Sequence, residues 1–406
     1  MKTISKAFCR TYQFCFRIAL PFLPYREPEI CHSVEQIPEI LKEKRVSSVL
    51  LVTDPGLRKG GSTATLEALL AEQGVSCAVY DQTNANLTVK NVEAARAVYL
   101  EHRCQGLIAF GGGSSMDCAK AVGARIAYPN KTLGQLKGLL KVLRKIPLLI
   151  AIPTTAGTGS ETTVTAVITD REQKHKYTMN NFTLIPRYAV LDPAVTYSLP
   201  PHLTATTGMD ALTHAVEAYI GGTTTRETRI LALDAARLVF ANIETAYQDG
   251  SNRAAREAML TAAYEAGIAF SKSYVGYIHA VAHSLGGQYN IPHGLANAVL
   301  MPMVLEAYGG AVHKKLHRLA VAAGVAEEAD APEIGAKKFI QAIRGLNRRM
   351  GIPETLPGIQ KEDIPTMARH AAREANPLYP VPILMDAREL EQFYYNVADW
   401  RNEHAD

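Results

Sequence analysis

No Cys-X-X-Cys pair occurs in the chain, and its six cysteines (Cys9, Cys15, Cys31, Cys77, Cys104 and Cys118) do not cluster. That argues against cysteine-ligated zinc and against a disulfide framework. It predicts free thiols in a reducing, cytoplasmic setting. No apolar run approaches the roughly 20 residues a bilayer span needs, so none is expected. An excess of one charge is lacking too. Lys and Arg number 43 against 39 Asp and Glu, and a net charge of +4 is too mild to argue for nucleic acid. Internal repeats and low-complexity tracts are absent. So are the G-x-G-x-x-G dinucleotide pattern and the Walker phosphate loop.

What remains is the composition of a soluble globular protein, 47% hydrophobic and 20% charged. A length of 406 residues implies two or three domains. The apolar segment Phe14–Leu23 resembles a signal peptide, but Arg17 interrupts it, Pro21 breaks it and no small-residue cleavage site follows. Residues 1–30 are read as an amphipathic arm packed on the body or on a neighbouring subunit, with weak membrane contact as the lesser alternative.

Downstream, short apolar runs alternate with helical stretches. Strands are predicted at Val46–Thr53, Val75–Tyr80, Gly106–Phe110, Leu148–Pro153 and Tyr188–Leu191, with helices at Thr63–Gln73 and Val89–Arg103. This alternation implies βαβ units and a parallel sheet covered on both faces, with Thr162–Asp170 as part of a hairpin beside it. Near Leu199-Pro200-Pro201 strand-like runs nearly vanish. Helical spacing dominates in Thr207–Ile220, Glu227–Tyr247, Arg253–Ser271, Ala311–Ala323 and Glu333–Met350. The expectation is an α/β domain over 31–197 followed by a helical domain over 198–406.

Two glycine-bearing segments follow predicted strands. Gly111-Gly112-Gly113-Ser114-Ser115 leads into a helix-like stretch, Met116–Ala124, and Pro153–Thr162 offers small residues and hydroxyls. A glycine loop opening a helix exposes backbone N–H groups at a positive helix end and suits a phosphate, although a bare triplet also makes a tight turn. Taken together, the two loops fit a pyrophosphate at the carboxyl ends of adjacent strands. Asp54, ending another strand, either binds a ribose hydroxyl or caps a helix.

Asp210 and His214 stand one helical turn apart. His279, His283 and His293 fall within fifteen small or apolar residues. One carboxylate with two or three imidazoles suits Fe(II) or Zn(II), and spacing alone would favour His279 and His283 among the histidines.

Together these motifs resemble the iron-dependent (group III) alcohol dehydrogenases, in order and spacing. The likeness extends from about residue 30 to the end, with smaller echoes at Asn86, Thr88 and Asn91, Asp192-Pro193 and Asn376-Pro377. The resemblance implies a Rossmann-like dinucleotide-binding α/β domain followed by a helical metal-binding domain. It assigns the metal ligands to Asp210, His214, His279 and His293, and places His283 near the nicotinamide, as a proton relay or as a partner that orients a ligand. Cofactor contacts fall on Asp54, Asn86, Gly112, Gly113, Ser114, Asp117, Thr154, Thr155, Thr158 and Lys176, with Lys120 beside them. The substrate pocket takes Thr165 and Phe270. Where the family usually has prolines around Asn86, this chain has Ala85 and Leu87, and Arg187 stands where lysine is common.

The implied activity is hydride transfer between NAD(H), NADP(H) less so, and a small alcohol or aldehyde. A metal acts as Lewis acid on the substrate oxygen, and the enzyme is a homo-oligomer such as a homodimer. Two other readings keep the same cofactors. One is a hydroxyacid–oxoacid transhydrogenase. The other is a lyase like dehydroquinate synthase, which would need a more basic pocket than the sequence around Thr158–Glu161 supplies.

Overall fold

The computed structural model describes residues 1, 3–170 and 175–400. The chain divides into two compact units. One comprises residues 24–199 and 250–260, the other 1–23, 200–249 and 261–406. The division falls at Leu199-Pro200, where strand-like runs end in the sequence. The N-terminal segment belongs with the helical unit, and a short piece near Gly250 returns to the first.

Among the described residues the first unit has nine strands: β1 (Glu29–Cys31), β2 (Ser48–Val52), β3 (Ser76–Tyr80), β4 (Gly106–Gly111), β5 (Gly138–Leu139), β6 (Leu148–Pro153), β7 (Thr165–Asp170), β8 (His175–Asn180) and β9 (Tyr188–Val190). Six form a sheet in the order β1-β9-β6-β4-β2-β3, all parallel. The five predicted strands correspond to β2, β3, β4, β6 and β9 of its six members. Their near-continuous apolar sequence follows from burial on both faces. Side chains alternate across the sheet, so Val49, Leu51, Ile108, Phe110, Ile150 and Ile152 share one core. Leu50, Val52, Leu107, Ala109, Leu149 and Ala151 fill the other.

A second, three-stranded sheet runs β5-β8-β7. Here β7 pairs antiparallel with β8, which is the anticipated hairpin. Strand β8, His-Lys-Tyr-Thr-Met-Asn, carries little apolar signal and was not predicted. Nor was the three-residue edge strand β1.

The second unit is helical. Its longest helices are Pro201–Ile220, Arg226–Gln248 and Pro332–Arg349, with part of Arg253–Ser273. Helix Pro201–Ile220 begins six residues before the predicted start. Pro201 occupies the first turn, where no N–H is needed, and the Thr206 and Thr207 hydroxyls bond back to the carbonyls of His202 and Leu203. Every residue from Gly208 to Ile220 is buried, which marks this as a central helix.

Candidate metal and cofactor site

Three helices of the second unit converge on one cluster. Asp210, His214 and Glu217 occupy positions i, i+4 and i+7 of Pro201–Ile220 and so share a face. His279 lies in the first turn of Tyr277–Tyr289, and His293 opens His293–Tyr308 directly after Pro292. One ligand atom each from Asp210, His214, His279 and His293 lies within 4.8 Å of all the others. Asp210 Oδ1 is 3.5 Å from His293 Nε2 and 3.9 Å from His279 Nε2. The rings of His214 and His279 stack at 4.4 Å between centroids, and Phe270 stacks on the other side of His214 at 4.1 Å.

The cluster is held by groups around it. Glu217 accepts the backbone N–H of Gly276 (2.7 Å) and of Ile278 (2.8 Å), and it bonds His279 Nδ1 (2.6 Å). A carboxylate from one helix thus caps the N-terminus of another, where the helix dipole favours negative charge. It also turns His279 Nε2 inward. That nitrogen is buried without a hydrogen-bond partner among the described residues, as a ligand atom would be. Burial pushes the Glu217 carboxyl up to about 8 and the His279 imidazolium well down, so the imidazole stays in the neutral form that binds metals. Burial likewise raises Asp210, against the pull of His214 and Asn297. Asn297 Nδ2 donates to Asp210 Oδ1 at 2.7 Å.

Two glycines permit this closeness. A Cβ on Gly276 would sit 2.6 Å from Glu217 Oε1, and one on Gly294 would sit 2.4 Å from the Thr206 carbonyl oxygen.

His283 lies outside the four-atom cluster. Its ring stacks on His293 at 5.0 Å, and its Nδ1 bonds Glu374 Oε1 at 2.6 Å. Tyr379 donates to the same Glu374 oxygen at 2.7 Å.

In the first unit, β4 and β6 pair in register with Gly111 opposite Pro153, so their carboxyl ends emerge side by side. The Thr154 N–H donates to Gly111 O, joining the two loops. The loops touch closely: a Cβ on Gly113 would meet Thr158 Cγ2 at 2.8 Å, and one on Gly112 would meet Thr155 Oγ1 at 3.3 Å. Gly112 caps helix Gly113–Ala127 without any side-chain bond, which leaves the first N–H groups available to a phosphate.

The Fe-containing alcohol dehydrogenase models match this chain in two stretches, residues 30–193 and, for the C-terminal part, 204–397. Alcohol dehydrogenase 4 of Saccharomyces cerevisiae is 38% identical over 347 residues, covering 84% of this chain and 89% of that protein. The chain belongs to the iron-containing alcohol dehydrogenase family. NAD-dependent methanol dehydrogenase of Bacillus methanolicus is 33% identical over 341 residues, covering 84% and 89% of the two chains. The crystal structure of 1,3-propanediol oxidoreductase superposes with a TM-score of 0.88 at 35% identity, covering 92% of this chain and 99% of that one. The protein is accordingly a metal-dependent oxidoreductase of alcohols.

Asp210, His214, His279 and His293 come together, and His283 stands beside them. Ser114 donates to the Ala85 carbonyl at 2.5 Å, next to Asn86. Asp54 caps the short helix Pro55–Lys59 through Oδ1, which accepts from Gly56 and Leu57. Asp117 is spent internally, accepting from Ser160 Oγ (2.7 Å) and the Val167 N–H (2.9 Å). The wholly buried Lys120 ammonium donates to Ser160, Thr163 and Thr165. Lys176 sits on β8 opposite Thr169. The Thr165 hydroxyl is taken up by Asn180 Oδ1 at 2.5 Å.

Glu217, Asn297 and Glu374 escaped the sequence reading. Glu217 had a signal, since it continues the Asp210/His214 face by one more turn. Asn297 likewise stands one turn after His293. Glu374 had none, because 91 residues separate it from His283.

Proposed function

We propose that the protein interconverts small alcohols and aldehydes with NAD(H), using Fe(II) or Zn(II) held by Asp210, His214, His279 and His293. The observation that carries this reading is the four-donor cluster, which includes a buried His279 Nε2 with no hydrogen-bond partner among the described residues. Three imidazoles and one carboxylate fit either ion. When bound, the metal supplies Lewis acidity toward the substrate oxygen.

The chain's own residues do the rest. Glu217 holds the Nδ1–H of His279 and so fixes its tautomer, and Asn297 anchors Asp210. Phe270, stacked on His214, walls the substrate pocket on the helical unit, and Thr165 is assigned to substrate contact on the first unit. His283 carries the proton. Glu374 bonds its Nδ1, leaving Nε2 for the exchange with substrate, cofactor hydroxyl or water. The Gly112–Gly113–Ser114 backbone takes the pyrophosphate, with Thr154, Thr155, Thr158, Asn86 and Lys176 around the cofactor. Asp117 and Lys120 act from behind, bracing the loops. One oxygen of Asp54 caps its helix, and the other would accept from a ribose hydroxyl, a contact that favours NAD over NADP. The NAD-dependent relative supports the same preference. The domains are assigned as an amphipathic arm (1–30), a dinucleotide-binding domain (31–197) and a metal-binding domain (198–406), in a cytoplasmic homo-oligomer.

The test is anaerobic reconstitution with Fe(II) or Zn(II), followed by the near-ultraviolet absorbance of NADH or NADPH with a panel of short aldehydes and alcohols. Metal-dependent NADH oxidation that His279→Ala and His293→Ala both abolish is the expected result. Turnover that survives both substitutions overturns the metal assignment, and equal turnover with NADPH overturns the cofactor preference.

A further inference from the structure

Helix Thr3–Ala19 lies before residue 30, where the family match begins. One face of it is tied to the helical unit. Cys9, Gln13 and Leu20 are buried there. Gln13 Nε2 donates to the Tyr379 carbonyl at 2.7 Å, and the Arg10 guanidinium donates to the carbonyls of Val381 and Pro382. Phe16 packs edge-on against Tyr274 at 5.0 Å.

The opposite face is apolar and bare. Ile4 is 86% exposed, Phe8 63%, Phe14 61% and Ile18 56%, and Phe22 just beyond the helix is 83% exposed. At about 100° per residue the four within the helix fall on one arc. Scattered exposed apolar residues are ordinary, but a continuous stripe of large ones marks a surface that meets something apolar.

Charge identifies the partner. The first 23 residues hold four of the 43 Lys and Arg and none of the 39 Asp and Glu, so the remaining 383 carry 39 of each sign. The whole positive excess of the chain therefore sits on the segment that bears the apolar arc. A helix pairing with its own copy flanks the seam with opposite charges, and this helix offers only cations. An anionic lipid surface supplies both the opposite charge and an apolar phase. No described helix is long and apolar enough to cross a membrane, so such contact lies in the interface plane.

We propose that Thr3–Ala19, with Phe22, docks the enzyme on an anionic lipid surface. The aromatic arc sinks to the acyl boundary, and Lys6 and Arg17 reach the headgroups. The test is flotation of the full chain with vesicles of phosphatidylcholine alone or vesicles rich in phosphatidylglycerol. Binding to the anionic vesicles is expected to be at least about tenfold stronger and to fall with added salt. Phe8→Ser with Phe14→Ser is expected to abolish it, and Lys6→Glu with Arg17→Glu to weaken it, both with unchanged alcohol turnover and elution volume. Equal binding to both vesicle types, or none to either, overturns the proposal. So does a smaller assembly in the Phe8/Phe14 variant without any flotation of the parent, which would assign the arc to a second copy.

Discussion

Glu217 serves three donors with one carboxylate, and two of them are backbone N–H groups that open the His279 helix. Replacing an acceptor oxygen by an amide nitrogen points a donor either at His279 Nδ1 or at that helix start. Both outcomes disturb a proposed ligand without removing it, the situation in which supporting residues cost about 10–100-fold in metal affinity. Glu217→Gln is expected to lose that much, read by competition with a chromophoric chelator. Unchanged affinity would reduce Glu217 to a helix cap. The exclusion of any side chain at Gly276, next to this carboxylate, follows from the same close approach.

Among the elements, the two loops after β4 and β6 act as one because the parallel register sets Gly111 against Pro153. Their separation is fixed by contact between Gly113 and Thr158, and an added methyl at Gly113 would come within 2.8 Å of Thr158 Cγ2. Gly113→Ala is therefore expected to push the loops apart and weaken NAD binding by about tenfold, or 1.4 kcal/mol. Gly134→Ala, whose methyl meets nothing nearer than 3.8 Å, serves as the control. Titration calorimetry with NAD reads both, and equal affinities would show that the loop does not carry the phosphate.

At the scale of the whole molecule, one buried acid makes stability depend on pH. Glu161 is 1% exposed, and neither carboxyl oxygen has a hydrogen-bond partner among the described residues. Burial raises its pKa from 4.5 to about 7, against its own backbone N–H and the Lys120 ammonium. Between those two values the folded chain binds the proton that the unfolded chain has released. The contribution to stability is thus full below pH 4.5 and is lost as the pH rises through 7. Glu161→Gln removes the titration. Its stability relative to the parent is expected to rise by about 1–3 kcal/mol from pH ~5 to pH ~8, read from thermal midpoints. A difference that stays flat with pH would mean that the carboxyl titrates normally in the fold.

The sequence by itself determined the alternation of buried strands and helices, the two glycine-bearing loops, and the pairing of Asp210 with His214. Each is a local periodicity of 2 or 3.6 residues, or a glycine where backbone must approach closely. It also carried the pattern of the iron-containing family, although spacing alone would have paired His279 with His283. Tertiary structure decided what periodicity cannot reach. His293, fourteen residues beyond His279, joins the cluster because Gly294 lets its helix start against the Thr206 carbonyl. Glu217 became a cap for a helix 59 residues away, and Glu374 reached His283 across 91. Asp117 and Lys120, which as sequence stood beside the glycine loop, proved to be occupied with Ser160, Thr163 and Val167. A buried polar group takes whichever partner the packing of distant elements brings within bonding distance, and that choice is not written in its neighbours along the chain.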